Sequence, residues 1–385
     1  MNVSRKANLR AIQAELSNHK AAVLLGPRSS GKTHLAKEIQ AAETWGKPGE
    51  VHHFDLDSSK DLARLKNPEI ALTSLSGLII LDGIQRMPKL LPILRVLIDR
   101  KDSSARFLIT GDTSPKLIDG LTEAFPQKIS FLEVTGLSLE EIGIDSLKQH
   151  WWRGGYPEAY FANSDKTAQQ WHEEYIRTFL ERDIPRLGIQ IPAVTLRRFW
   201  TMVAHCHGQV LKLSELARSL GCSEPTARRY LDLLSDTYMV RQLRPRKENI
   251  RKRQVKAPKV YIRDSGVCHA LLDIPNHASL QSHPKIGASW EGYCLEQILA
   301  ITGDHNAYFW ATHGGAELDL LLFHEDQRLG FEFKYTEKPS TSKSMRSAQE
   351  DLGLDHLYVV HPGIHSYPLD EGITATTLPD FIRFF

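Results

Sequence analysis

Residues 26–33 could bind the phosphates of a nucleotide, because they match the pattern G-x-x-x-x-G-K-[S/T] at every fixed position. In this pattern, Gly26 and Gly31 let the backbone wrap a phosphate, so that its N–H groups point at the anion. The ammonium of Lys32 would reach the β- and γ-phosphates, and the hydroxyl of Thr33 would ligate Mg²⁺. A glycine- and serine-rich turn that matches by chance is the alternative. We predict a site for ATP and Mg²⁺ whose cofactor-binding residues are Gly26, Pro27, Arg28, Ser29, Ser30, Gly31, Lys32 and Thr33.

The elements around this loop favour phosphate binding. Residues 21–25 are apolar and indicate a buried strand, and residues 34–40 indicate the following helix. Further strand-like runs at 51–54, 78–81 and 107–109 alternate with helical patterns. This alternation predicts a parallel α/β sheet, with the loop at the C-terminal end of a strand.

Two polar residues at the ends of these runs complete the predicted site. Asp82 follows the run 78–81 and would hold Mg²⁺ through water, opposite Thr33. Thr110 follows the run 107–109 and is a candidate sensor of the γ-phosphate, or else a cap of a helix or turn. Thr33 and Asp82 are therefore the predicted metal-binding residues of this part of the chain.

The chain resembles prokaryotic AAA-family ATPases with an archaeal-type AAA core and a C-terminal uncharacterised domain of PD-(D/E)XK nuclease-like type. The resemblance runs nearly to the C-terminus. It depends on residues 26–33, 81–88, 110–111 with 114–115, 154–158 and 175–185.

One position departs from the resembled family. There, the Asp that binds Mg²⁺ is normally followed by a Glu that orients the attacking water, but this chain has Gly83. Loss of a positioned general base costs about 10²–10⁴-fold in rate. We therefore expect ATP binding with slow hydrolysis; the alternative is a full ATPase in which a neighbour such as Asp55, Asp57 or Gln85 substitutes for the missing Glu.

Residues 137–200 look helical, and the resemblance implies that they form a lid. Arg153 precedes Gly154-Gly155, and Arg182 lies between Glu181 and Asp183. Either arginine could act as an arginine finger, from its own chain or from a neighbouring subunit. A surface ion pair on a helix is the alternative for each.

A helix-turn-helix pattern follows in the middle of the chain. Residues 213–220 have the spacing of an amphipathic helix, 221–223 form a turn, and 225–234 form a second helix with strand-like runs after it. This order predicts a winged helix, and the stretch 241–256 is strongly basic. DNA is the predicted partner, although winged helices also bind proteins. The predicted DNA-binding residues are Thr226, Arg228, Arg229, Arg251 and Arg253.

Two runs near the C-terminus carry an acid and an E-x-K triplet. Asp319 lies in a strand-like run, and the run 329–335 alternates, so that Glu332 and Lys334 share one face. In the PD-(D/E)XK arrangement that the chain resembles, Asp319 and Glu332 would ligate Mg²⁺, and Lys334 would help to activate water or stabilise the developing charge. Glu291, on an upstream helix, would add a carboxylate. The predicted catalytic residues are thus Glu291, Asp319, Glu332 and Lys334; the alternative is the same fold used only for binding.

Composition sets the remaining expectations. The 385 residues suffice for two or three domains, with 41% apolar and 24% charged residues and a net charge of +2. No apolar run approaches the length of a membrane span, and the N-terminal residues lack the apolar core of a signal peptide, so we expect neither. The four cysteines show no metal-binding spacing. We expect a cytoplasmic protein, and a homo-oligomer is left open.

The predicted fold class is α/β, in four parts. These are a P-loop AAA-type core (1–136), a helical lid (137–200), a winged-helix unit (201–263) and a restriction-endonuclease-like α/β domain (264–385). The predicted function is ATP-dependent DNA binding in which the nucleotide state gates a Mg²⁺-dependent nuclease. The alternative is a hydrolysis-deficient regulator or scaffold that binds DNA or protein without cleavage.

Overall fold

The computed structural model describes residues 3–42, 50–100, 103–112, 120–123, 125, 128–248 and 252–385. The chain divides into two compact units. The first comprises Met1–Leu137 and Asp236–Tyr238, and the second comprises Ser138–Ser235 and Met239–Phe385. No helix among the described residues is both long and apolar enough to cross a membrane.

The first unit is built on a parallel five-stranded sheet in the order β2-β3-β4-β1-β5. Its strands are β1 (Ala21–Gly26), β2 (Val51–Asp55), β3 (Leu78–Asp82), β4 (Arg106–Asp112) and β5 (Ile129–Glu133). Its helices are α1 (Lys6–Asn18), α2 (Lys32–Ala41), α3 (Ser59–Arg64), α4 (Pro68–Thr73) and α5 (Leu90–Asp99). The predicted parallel α/β sheet is confirmed.

Helices cover both faces of this sheet. Along β3, Ile79 and Leu81 pack with α4 and α5, whereas Leu78 and Ile80 pack with α1 and α2. Successive strand residues alternate between two apolar cores, because side chains alternate faces along a strand. A strand covered on both sides reads as a continuous apolar run, which explains the sequence of residues 78–81.

The second unit begins with short helices and a three-stranded antiparallel sheet. The helices are α6 (Leu139–Ile142), α7 (Leu147–Arg153), α8 (Pro157–Tyr160), α9 (Asp165–Thr178), α10 (Ile184–Arg186), α11 (Ala193–His205), α12 (Leu213–Leu220) and α13 (Glu224–Asp236). The strands β6 (Gln209–Val210), β7 (Val240–Leu243) and β8 (Lys259–Ile262) pair in the order β6-β8-β7. Strand β8 is therefore central.

The C-terminal part of this unit is a mixed six-stranded sheet in the order β13-β14-β12-β11-β10-β9. Its strands are β9 (Ala307–Ala311), β10 (Glu317–His324), β11 (Gln327–Phe333), β12 (His356–His361), β13 (Tyr367–Asp370) and β14 (Ile373–Thr377). Its helices are α14 (Ser265–Leu271), α15 (His277–Gln281), α16 (Ile286–Thr302), α17 (Lys343–Leu352) and α18 (Leu378–Phe384). Phe331 and Phe333 pack with residues of α16, whereas Leu357 and Val359 pack with residues of α17.

Candidate functional site

The loop between β1 and α2 has the backbone shape that its sequence predicts. Ser29 (φ 63°) and Gly31 (φ 94°) both adopt left-handed conformations, and α2 begins directly afterwards at Lys32. Glycine is required at position 26 for a different reason, since a Cβ atom there would lie 2.0 Å from the carbonyl oxygen of Val134. Gly31 thus shapes the loop, whereas Gly26 lets the chain after β5 approach it.

Lys32 is buried against its own loop. Its Nζ donates hydrogen bonds to the carbonyl oxygens of Gly26 (2.8 Å) and Pro27 (2.7 Å). The hydroxyl of Ser30 is buried and has no hydrogen-bond partner among the described residues. A cationic group and a buried hydroxyl without a partner fit an anionic phosphate ligand.

Two hydroxyls converge on Asp82 at the end of β3. Thr33 Oγ1 donates to Asp82 Oδ1 over 3.2 Å, and Thr110 Oγ1 donates to the same oxygen. Strand β4 lies between β1 and β3 and pairs Thr110 with Asp82, which brings both strand ends together. A threonine hydroxyl beside a carboxylate is an oxygen donor set that suits Mg²⁺. Thr110, predicted as a γ-phosphate sensor, contacts the carboxylate of Asp82.

The groups around Asp82 favour the ionised form of its carboxyl. Burial alone would raise its pKa, but His53, Thr110 and Thr33 together hold the pKa below its usual value. An ionised carboxylate is the form that binds a divalent cation.

His53 was missed by the sequence prediction. Its Nε2 lies 3.8 Å from Asp82 Oδ2, and its Nδ1 is 2.9 Å from Gln40 Oε1. Of the proposed substitutes for the missing Glu, Asp57 forms an ion pair with Arg86 (2.6 Å) and Asp55 accepts from the Asp57 amide (2.9 Å). The pairing of β2 with β3 places His53 near Asp82, and no pattern in the sequence indicates this pairing.

Arg5 supports the loop from outside the motif. Its buried guanidinium donates to the carbonyl oxygens of Ser30 (2.9 Å), Thr135 (3.2 Å) and Gly136 (3.1 Å). These bonds connect the phosphate-binding loop to the chain after β5, so Arg5 is a positioning residue for the loop.

The guanidinium of Arg153, one of the two candidate arginine fingers, is held within its own unit. It pairs with Asp165 (2.8 Å) and donates to the carbonyl oxygens of Tyr160 and Ala162. The other candidate, Arg182, lies 3.1 Å from Asp183. Arg182 thus forms a surface ion pair, as in the alternative expectation, whereas the ion pair of Arg153 is largely buried on the arginine side.

The predicted nuclease residues lie in one region of the second unit. Glu291 is on α16, Asp319 is on β10, and Glu332 near the end of β11 pairs with Lys334 (2.8 Å). Phe331 and Phe333 pack into the core on the other face of β11, so the predicted alternation of this strand is confirmed. We call the carboxyls of Glu291, Glu317, Asp319 and Glu332 the acidic cluster.

A lysine that the sequence analysis did not single out lies within this acidic cluster. Lys259, the first residue of β8, has a side chain only 1% exposed, and its Nζ contacts Asp319 (2.8 Å), Glu291 (3.2 Å) and Glu317. Tyr261, two residues further on, donates to Glu291 Oε1 over 2.7 Å. Among the described residues, no group of three or more His, Cys, Asp or Glu side chains is arranged to hold a metal ion.

The carboxyls of the acidic cluster differ in their pKa values. Burial and the neighbouring Asp319 raise the pKa of Glu332 to about 8 and that of Glu291 to about 7. Burial would also raise the pKa of Asp319, but Lys259, Lys334 and the backbone N–H of Phe333 together hold this pKa below its usual value. Asp319 is therefore the ionised partner of Lys259 at neutral pH.

The predicted DNA-binding residues differ in their surroundings. Arg228 and Arg229 on α13 are exposed, and so is Arg253, whereas Thr226 contacts Ser223 at the start of α13 (2.9 Å). Arg251 lies outside the described residues.

Three of the eight basic residues in the stretch 241–256 form ion pairs within the second unit. Arg241 pairs with Glu296 and Asp304, Arg246 pairs with Glu248, and Lys252 pairs with Asp351. The acidic residues that pair with this stretch are mostly distant from it in the sequence.

Three family models match successive parts of the chain. Residues 18–143 match a family described as AAA domain. Residues 144–278 and 286–381 match two domains of unknown function, DUF8612 and DUF4143.

Solved structures of low similarity include a Walker-type ATPase of Pyrococcus abyssi. It has a TM-score of 0.43 and 12% identity, over 70% of this chain and 96% of that chain. The DNA clamp loader delta protein of Bacillus subtilis has a TM-score of 0.27 and 14% identity, over 59% of this chain and 88% of that chain. Such low TM-scores assign neither a fold nor a function.

Two mycobacterial proteins are much more similar. The uncharacterized proteins Mb2031c of Mycobacterium bovis and Rv2008c of Mycobacterium tuberculosis are each 46% identical to the chain over 359 residues. The alignment covers 93% of this chain and 80% of each relative. The chain therefore belongs to the same family as Mb2031c and Rv2008c, and residues 18–143 are its AAA-type ATPase domain.

Proposed function

We propose that the protein is a nucleotide-dependent switch that binds MgATP at the loop 26–33 and hydrolyses it slowly. The observation that supports this most is the convergence of the Thr33 and Thr110 hydroxyls on Asp82, next to the buried Lys32. In this proposal, Thr33 and Asp82 hold Mg²⁺, which neutralises phosphate charge when bound. Lys32 and the loop amides bind the phosphates.

Slow hydrolysis follows from the residue after Asp82. Gly83 carries no carboxylate to orient water, and its backbone is left-handed at φ 88°. A side chain there has space, since the nearest atoms to an added Cβ lie 3.9 Å away. It would still be strained by the positive φ.

Gly83→Glu tests this explanation, with Gly83→Ala as the matched control. Both variants carry the same backbone strain, but only Gly83→Glu supplies a carboxylate. We expect ATP turnover at saturating MgATP to be about 10²-fold faster in Gly83→Glu than in Gly83→Ala. Equal rates in the two variants would show that Gly83 does not limit hydrolysis.

We further propose that the second unit binds DNA through α13. This proposal is supported by the exposed Arg228 and Arg229 near the start of a helix that follows a turn. Cleavage is left out of it, because Lys259 contacts the carboxylate of Asp319 that would have to bind the metal ion.

The double variant Arg228→Ala/Arg229→Ala tests DNA binding. We expect its affinity for a duplex at low salt to fall about 10²-fold, and the slope of log K against log salt to decrease by about 2. The control Arg177→Ala/Arg346→Ala removes the same charge from two exposed arginines of the second unit. An equal loss in both double variants would indicate only a general effect of charge.

Nucleotide control of this binding is measured with the same duplex. The proposal predicts that MgATP changes the DNA affinity of the native protein and leaves that of Lys32→Ala unchanged. If MgATP left the DNA affinity of the native protein unchanged, ATP binding and DNA binding would be independent activities.

A further inference from the structure

The acidic cluster already contains a cation that belongs to the chain. We propose that the ammonium of Lys259 occupies the cation position of this cluster, so that the cluster binds no divalent metal ion. The role of Lys259 is independent of the ATP and DNA binding proposed above.

The first argument is the number of contacts that the ammonium makes. An ammonium group has three protons to donate. Lys259 Nζ contacts three carboxylates, those of Asp319, Glu291 and Glu317. The ionised Asp319 compensates the charge of this ammonium, and Glu291 and Glu317 complete its three contacts, so that it needs no further ligand.

The second argument concerns the carboxylate oxygens that a metal ion would need. Asp319 Oδ1 accepts from Lys259, and Asp319 Oδ2 accepts from the backbone N–H of Phe333 over 3.1 Å. Glu291 Oε1 accepts from both Lys259 and Tyr261. A divalent ion at these oxygens would compete with these donors and lie beside a buried positive charge, which is unfavourable.

The third argument is that Lys259 is fixed in place. Strand β8 pairs with β6 on one side and with β7 on the other, and Lys259 itself is paired with Val210 and Leu243. The Lys259 Nζ also lies 5.8 Å from the centroid of the Phe309 ring. The backbone of Lys259 is thus fixed by its two neighbouring strands, and its side chain, only 1% exposed, is enclosed by protein atoms.

The chemical consequence is that this site lacks the means to activate water. A bound metal ion lowers the pKa of its water through an open coordination position, whereas an ammonium group has no such position. Lys259 instead ties β8 to α16 and β10, which makes the acidic cluster a structural connection within the second unit.

Mn²⁺ binding to the full-length protein, counted by electron paramagnetic resonance without nucleotide, tests the proposal. We expect the native protein and Asp319→Asn to bind the same number of Mn²⁺ ions. One ion fewer in Asp319→Asn would overturn the proposal. A soak of native crystals in Mn²⁺ gives a second readout that needs no variant: an anomalous peak at Asp319 would also overturn it.

The converse variant is Lys259→Met, which keeps an unbranched side chain one atom shorter and removes its charge. With the cation position vacated, we expect a folded Lys259→Met protein to bind one more Mn²⁺ ion per chain than the native protein. Lys212→Met, at an exposed lysine, is the control and should bind no additional ion. A folded Lys259→Met protein without the extra ion would contradict the proposed role of Lys259.

Supercoiled plasmid provides an independent readout. We expect no nicking by the native protein with Mg²⁺ or Mn²⁺. Nicking that is lost in Glu332→Ala would establish a metal-dependent nuclease and overturn the proposal, whatever the state of the ATP site.

Discussion

Lys32→Ala is expected to lower the affinity for ATP about 10²-fold. The ammonium of Lys32 is the cationic group beside the phosphate-binding loop, and charge-assisted hydrogen bonds contribute about 1.5–3 kcal/mol each. Isothermal titration calorimetry with ATP and Mg²⁺ measures the loss directly.

Lys37→Ala is the matched control for this variant. Lys37 lies on the same helix, α2, but is exposed, so its replacement removes the same charge without touching the loop. Native-like ATP binding is expected for Lys37→Ala. If Lys32→Ala also bound ATP like the native protein, the nucleotide would have to bind elsewhere.

The residues of the nucleotide site that lie at the ends of neighbouring strands could be predicted from the sequence. The loop 26–33 follows an apolar run, and Asp82 and Thr110 each end one. In a parallel sheet the C-terminal ends of strands meet at one edge, so the spacing along the chain does not matter. The structure brings Thr33, Asp82 and Thr110 together for this reason.

Arg5 and His53 could not be predicted, because nothing local marks them. Arg5 reaches carbonyl groups that are 25 and about 130 residues away in the sequence. His53 approaches Asp82 only because β2 is the strand that pairs with β3. Such contacts depend on strand order, which single-strand patterns do not contain.

The charged residues of the second unit show the same limit more clearly. A lysine at the start of a strand normally indicates exposure, yet Lys259 is buried because Asp319, 60 residues later, compensates its charge. The basic stretch 241–256 looked free for phosphate contacts because Asp304 and Asp351, which neutralise part of it, are far away in sequence. Burial of charge is decided by tertiary partners.

Asp319→Ala is expected to destabilise the second unit by about 3–5 kcal/mol, because it breaks a buried ion pair and leaves the Lys259 ammonium partly uncompensated. The sign of this change in stability distinguishes Asp319 as the counter-ion of Lys259 from Asp319 as a metal ligand. In a vacant metal site, removal of one carboxylate would relieve repulsion among the others and stabilise the metal-free protein.

Tryptophan fluorescence during urea unfolding suits this measurement. Six of the seven tryptophans, at 151, 152, 171, 200, 290 and 310, lie in the second unit, so the signal reports mainly on that unit. Glu317→Gln is the control: its side chain is 43% exposed, and loss of an exposed partner costs at most about 1 kcal/mol.

A double replacement completes the test. When Lys259 and Asp319 both become apolar, no ammonium is left uncompensated, Glu291 keeps the hydrogen bond from Tyr261, and Glu317 is partly exposed to solvent. Replacing both members of a buried pair in this way is often neutral or stabilising. We therefore expect Lys259→Met/Asp319→Leu to recover most of the stability that Asp319→Ala loses. A double variant as unstable as the sum of its single changes would mean that Lys259 and Asp319 act separately. In that case Asp319 would not serve as the counter-ion of Lys259, and a role as a metal ligand would again be the better explanation.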